Sequence, residues 1–451
     1  MNKKINMLNG DIKKVLVALA WPIIMSNLIQ TAMGLVDMIW IGKLGSNAVT
    51  AIGTAGFFMQ FAQAFSSLII TGTGVLVAQS LGKHKSHDTE TYIKNSLLLT
   101  LVISIIFSIT VYVLANPLVA FFNLNDPEIV KITVSYLRHS LFAVPFLFLG
   151  ATYVTVLTSF GNTKLTFRAN AIGLALNIIL DPIFIFGLMF FPKMGVVGAA
   201  WATNISRVLI FYLLYKNSKE EFSYSSKVKY SFKKIKEVIN MGFPVTVQRI
   251  LFIVISMFMA RIVVQFGTDA IAAQRIGIQI ESISYVTIGG LQGAIAAFIG
   301  QNYGNNNFDR VKDGYMISLK LVMILGSIIS LIFIIFPEPI FVVFIKEPNV
   351  VEHGILYMKA IGYSQLFMCL ELLTVGAFNG LGKTHIPASI ATILTAIRIP
   401  LALYLSSIYG IAGVWWSISL TSIFKGIILV IWFLRYLKKP ELIIESQKIG
   451  L

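Results

Sequence analysis

Twelve stretches of this chain are apolar for long enough that a helix made from each would cross a hydrocarbon layer of ~30 Å, which takes about 20 residues. They fall roughly at residues 14–41, 50–80, 95–115, 133–158, 166–190, 195–215, 239–265, 272–300, 314–335, 354–378, 386–408 and 411–434. With 56% of residues hydrophobic and 12% charged, there are too few polar side chains to cover a water-soluble fold of this size. Backbone inside hydrocarbon must satisfy its own hydrogen bonds, so the expected fold class is an all-α integral membrane protein with twelve transmembrane helices.

Lys and Arg set the expected orientation. They crowd the start of the chain (Lys3, Lys4, Lys13, Lys14), the connections after the second and fourth spans (Lys83, Lys85, Lys94; Lys164, Arg168), the stretch Lys216 to Lys236 and the end (Arg435, Lys438, Lys439). The alternate connections hold little beyond Lys43, Lys131, Lys193 and Lys346. A positive-inside bias of this kind places both termini in the cytoplasm of a cell-membrane protein. The formal charge of +16 is then read as topology, and its spread over separate short loops argues against a nucleic-acid partner. Cys369, the only cysteine, lies in an apolar run and leaves no internal disulfide or cysteine-built metal site.

The two halves resemble each other. Trp21-Pro22 aligns with Phe243-Pro244, Leu44 to Ala51 (LGSNAVTA) with Phe266 to Ala273 (FGTDAIAA), and Gln79 to Gly82 (QSLG) with Gln301 to Gly304 (QNYG), all at an offset of about 222. Later, SFGNTK from Ser159 aligns with GLGKTH from Gly380, and GVVGAAW from Gly195 with GIAGVWW from Gly410. The architecture predicted is six spans plus six: a bundle over 1–215, a basic cytoplasmic linker over 216–237 that meets anionic lipid at the membrane surface, and a second bundle over 238–451. Six is even, so the repeats are parallel and related by a pseudo-two-fold axis along the membrane normal. That plan serves alternating access in transporters.

Few charges remain inside the spans. An Asp in mid-membrane costs roughly 2.5 to 3.5 kcal/mol on insertion scales, so it is expected to face a cavity or a partner. Counting along the spans places Asp37, Asp181 and Thr203 at a similar depth, and Asn177 stacks one turn from Asp181 in NIILDP. No Lys or Arg lies beside the two acids on spans 1 and 5. Two carboxylates, an amide oxygen and a hydroxyl suit either a small hard cation such as sodium or a carboxylate pair that shares a proton. Alignment of the halves turns Asp37 into Met259 and Asp181 into Ile399, so this pocket belongs to the first half alone. In the second half Glu281 and Glu371 are secondary candidates beside Arg249, Arg261, Arg275 and Arg398, whose ordinary reading is interhelical salt bridges or arginines that snorkel at helix ends; Glu281, some ten residues into its span, is too deep to snorkel easily. No GxxxxGK[ST] or HExxH motif is present, and Gly380 to Thr384 (GLGKT) reads as a turn between helices. No cofactor and no enzymatic chemistry are expected.

Pro22 ahead of Asp37, QSLG, NIILDP and GVVGAAWAT, set on a six-plus-six repeat, give a chain that resembles the MATE multidrug and toxin extrusion family over essentially its whole length, and within it the DinF-like branch. The resemblance implies export of small organic compounds, often cationic or aromatic, in exchange for entering H+ or Na+. It implies cation coupling at Asp37, Asn177, Asp181 and Thr203, bending of the first helix at Pro22, and a substrate cavity that includes Gln30 and Met33. The protein is expected to work as a monomer. A flippase for lipid-linked precursors shares the two-bundle plan and is the alternative; it favours a strongly basic central cavity, which the first-half acids oppose.

Overall fold

The computed structural model describes residues 4–122, 124, 126–219, 221–222 and 229–438. Among them there is no β-strand. The first half forms α1 (Ile12–Gly42), α2 (Ser46–Gly82), α3 (Ser86–Val113), α4 (Ala115–Ala120), α5 (Pro127–Ser140), α6 (Val144–Ser159), α7 (Thr163–Phe186) and α8 (Val196–Asn217). The second forms α9 (Phe232–Val264), α10 (Thr268–Gly304), α11 (Phe308–Ile335), α12 (Pro337–Val342), α13 (Pro348–Gly380), α14 (His385–Tyr409) and α15 (Ile411–Leu437). Taking α5 and α6 as one span, twelve of these among the described residues are long and apolar enough to cross a membrane. Isoleucines 106 and 109 on α3 are 59% and 60% exposed, which is the inside-out pattern of helices that face hydrocarbon.

Local chemistry sets the helix ends. Asp126 caps α5 by accepting from the Glu128 amide at 2.8 Å, and Pro127 fills the first turn, where no amide hydrogen is needed. A single 3-10 turn at Leu141–Ala143 joins α5 to α6, and Pro145 sits in the first turn of α6, where again no amide hydrogen is needed. The short helices α4 (ANPLVA) and α12 (PEPIFV) fall below any span length and escape a hydropathy reading, yet they too are repeat partners, since Ala115 and Pro337 stand 222 apart. Gly380 closes α13 and His385 opens α14, so GLGKT is the turn between them.

The chain divides into two compact units whose borders differ from those drawn on the sequence. One holds residues up to Ile5, Met25–Leu81 and Lys85–Gly242; the other holds Asn6–Ile24, Gly82–His84 and Phe243 onward. Each unit thus takes in the first turns of the other half's leading helix. In the first unit α2 and α9 cross with their backbones nearly touching: a Cβ at Gly72 would lie 2.1 Å from the Val238 carbonyl oxygen, and one at Gly242 would lie 1.7 Å from that of Leu68. In the second, Gly290 of α10 meets Ile24 of α1 in the corresponding way. The described residues of the expected linker are held to the first unit. Glu221 pairs with Lys4 at 3.2 Å, Lys234 pairs with Asp88 at 2.9 Å, and Tyr92 donates to Glu237.

Candidate functional site

Glycines position the site. Gly195 starts α8 at a φ of 56°, a conformation that a side chain would strain. Gly198 then lies so close to α7 that a Cβ would sit 2.5 Å from the Phe184 carbonyl oxygen. Helix α8 therefore returns directly against α7 and carries Thr203 to α1. Thr203 Oγ1 donates to Asp37 Oδ2 at 3.2 Å, and Asn177 Nδ2 donates to Asp181 Oδ1 at 3.3 Å. The two carboxyls face each other within interaction range, and Asn177 reaches toward Asp37 as well. All four residues expected at the cation pocket come together inside the first unit.

Asn177 and Asp181 are fully buried and Asp37 is half-buried. Three buried oxygens there accept no hydrogen bond: Asp37 Oδ1, Asp181 Oδ2 and Asn177 Oδ1. Buried polar atoms are ordinarily satisfied, so a cluster of unmet acceptors is a place for a proton or a small cation.

The absence of a neighbouring cation, expected from spans 1 and 5, needs correcting. Arg207 lies one turn beyond Thr203 on α8, within electrostatic range of Asp37. Tyr136 of α5 faces the same group. The spacing of four from Thr203 was the available signal for Arg207. Two carboxylates against one guanidinium leave one formal negative charge, the complement of one monovalent ion.

The corresponding place in the second unit is hydrocarbon. Met259, Ile399 and Ile418 replace Asp37, Asp181 and Thr203, and all three belong to or pack against one apolar cluster with Trp415 and Ala402. Glu281 and Glu371 lie elsewhere, and among the described residues neither forms a salt bridge with an arginine. Glu281 accepts from Tyr357 and Gln365, each at 3.2 Å. Glu371 forms a buried ion pair with Lys425 of α15 at 3.0 Å, while Arg398 donates to Thr421 and Ser422. Lys425, in the middle of the last span, was missed because its partner lies on a helix 54 residues earlier.

Gln30 and Met33 lie two turns and one turn before Asp37 on α1. Gln30 is exposed, whereas Met33 is 4% exposed and packs in the first unit's core with Leu76, Tyr153 and Leu157. Pro22 lies inside an unbroken α1, fifteen residues before Asp37, where it denies a hydrogen bond to the Ala18 carbonyl.

Comparison with known proteins gives a family model, MatE, that matches residues 22–183 and again 244–404, so its two copies begin at Pro22 and Pro244. Among curated relatives, the "Probable multidrug resistance protein NorM" of Thermotoga maritima is 28% identical, with 97% of this chain and 96% of the relative covered. The "Multidrug export protein MepA" of Staphylococcus haemolyticus is 25% identical, with 91% and 90% covered. An "FAD transporter" of Shewanella oneidensis is 23% identical, with 95% of each covered. A solved structure described as the outward-facing conformation of a multidrug resistance MATE family transporter of the MOP superfamily shares the fold at a TM-score of 0.89 and 22% identity, over 97% of this chain and 99% of that one.

Proposed function

The chain belongs to the MatE family, and we propose that it is a secondary transporter that exports drug-like organic compounds across the cell membrane in exchange for one entering proton or sodium ion. The observation that carries this reading is the set of three buried, unpartnered oxygens on Asp37, Asn177 and Asp181, beside a charge balance that is short by one positive charge. The ion is a transported substrate. With both termini cytoplasmic, Asp37 lies toward the outer end of α1, so the ion loads from outside and leaves inside. Loading neutralises the facing carboxyls and competes for the Asp37 oxygen that Thr203 now holds. Either change alters the packing of α1 around Asp37, and Pro22 is the point at which that helix lacks a hydrogen bond to resist bending.

The energetics suit an exchanger without nucleotide. For a cargo without net charge, one entering charge moving through 100 mV gains about 2.3 kcal/mol, and each 1.4 kcal/mol is a tenfold concentration ratio, so one ion can hold a gradient of several tens-fold; exchange for a monovalent cation is electroneutral and draws on the ion's own concentration gradient. The names of the relatives point to drug-like cargo, and one of them to a flavin dinucleotide.

The test uses purified protein in proteoliposomes with a fluorescent organic cation or FAD as cargo, and with pH and sodium gradients imposed separately. One gradient should drive movement of the organic cation, and substrate flow should in turn move that ion. Equal movement with no gradient, or movement of FAD alone, would reject the reading.

A further inference from the structure

A second polar site lies in the first unit, with none of the four cation-pocket residues in its lining. It is a pocket of about 670 Å³ between α3, α4, α5 and α8, and its lining includes Tyr112, Asn116, Lys131, Arg138, His139 and Trp201. No carboxylate lines it. Arg138 is eleven residues beyond Pro127, ~16 Å along a helix, in a span that runs Pro127–Ser159. The guanidinium therefore stands on the amphipathic first part of that span, where a partly buried charge still calls for a partner. Its carbon sits 5.1 Å from the centre of the Tyr112 ring, its Nε is buried with no hydrogen-bond acceptor, and among the described residues no carboxylate pairs with it. Lys131 stands two turns earlier on the same face of α5, exposed beside the pocket.

The walls are aromatic. Phe142 and Trp201 have ring centroids 5.6 Å apart, and His139 meets Trp201 at 6.2 Å. Val113 and Phe142 nearby are 66% and 58% exposed. Two cations with no anion, set beside bare hydrocarbon, are complementary to an amphiphile with an anionic head.

We propose that this pocket binds the phosphodiester headgroup of an anionic phospholipid, with Arg138 and Lys131 donating to its phosphate oxygens and the acyl chains lying on the exposed apolar surface around it. The assignment uses none of the residues assigned to ion coupling. A free phosphate offers the same oxygens without the chains, which separates the two sources by experiment.

Native mass spectrometry of the full-length protein in detergent, with phosphatidylglycerol, phosphatidylcholine or inorganic phosphate added, tests the assignment. The wild-type protein should retain phosphatidylglycerol several-fold better than phosphatidylcholine and should not release it to excess inorganic phosphate. Arg138→Gln should lower that retention about tenfold, the loss of a charge-assisted hydrogen-bonded pair. Lys131→Gln at the surface should lower it less. Arg138→Lys, which keeps the charge and loses the fork, should fall between wild type and Arg138→Gln and carries the test should Arg138→Gln not fold. Unchanged retention in Arg138→Lys and Lys131→Gln, equal retention of the two lipids, or displacement by inorganic phosphate would overturn the proposal.

Discussion

Asp37, half-buried, and Asp181, fully buried, are two carboxyls face to face, and only a proton, a cation or a basic side chain lets such a pair persist. Arg207 supplies part of that balance. Asp37→Asn and Asp181→Asn should each abolish ion-driven efflux while the protein still reaches the membrane, as read by transport and by immunoblot of membranes. Arg207→Gln should bind the coupling ion more tightly, by roughly tenfold in half-saturating concentration, because a repelling charge has gone. It should also turn over more slowly, because release is hindered. Lys425→Met leaves Glu371 charged and buried without its partner, which should cost about 3 kcal/mol or more in thermal unfolding in detergent. The double replacement Glu371→Leu with Lys425→Met should recover most of that loss. The acids of the first half were legible because a carboxylate in a spanning run is conspicuous and the repeat showed it to be unmatched. Lys425 was not, and Arg207 only through its spacing of four from Thr203, since a basic side chain in mid-helix does not show from sequence which neighbouring helix it faces.

Among the helices, the sites of closest approach decide geometry. The α2 and α9 crossing depends on the absence of side chains at Gly72 and Gly242, where an added methyl would meet carbonyl oxygen. Gly242→Ala should therefore lower stability by about 1–3 kcal/mol, the range for forced overpacking, seen as a reduced melting temperature in detergent. Pro22→Ala restores a hydrogen bond to α1 and should slow transport with little loss of stability. The twelve long helices could be read from hydropathy alone, and the paired glycine motifs at Gly195 and Gly410 from the repeat. Both glycines start their helices at positive φ, and Gly198 and Gly413 each press against the preceding helix. Helices α4 and α12 could not be read, because six residues containing proline carry no periodic signal. The exchange of leading turns between the units was equally hidden, since a linker's composition marks where the chain is polar and not where it packs.

For the molecule as a whole, a duplicated fold carries an unduplicated site. The MatE match begins at Pro22 and again at Pro244, yet Met259, Ile399 and Ile418 fill with hydrocarbon the place that Asp37, Asp181 and Thr203 make polar. In the second unit Glu371 is balanced by Lys425, and Glu281 is held by hydrogen bonds from Tyr357 and Gln365. The proposed reading is one exchangeable ion per protein, held in the first unit. Direct counting of the bound ion tests this most closely: calorimetric titration of the purified protein with sodium, and proton release on adding an organic cation at low sodium. The account predicts one ion per chain in wild type and in Glu371→Gln, and none in Asp37→Asn with Asp181→Asn. A full site that survives in the double Asp variant, or a site lost in Glu371→Gln, would contradict it.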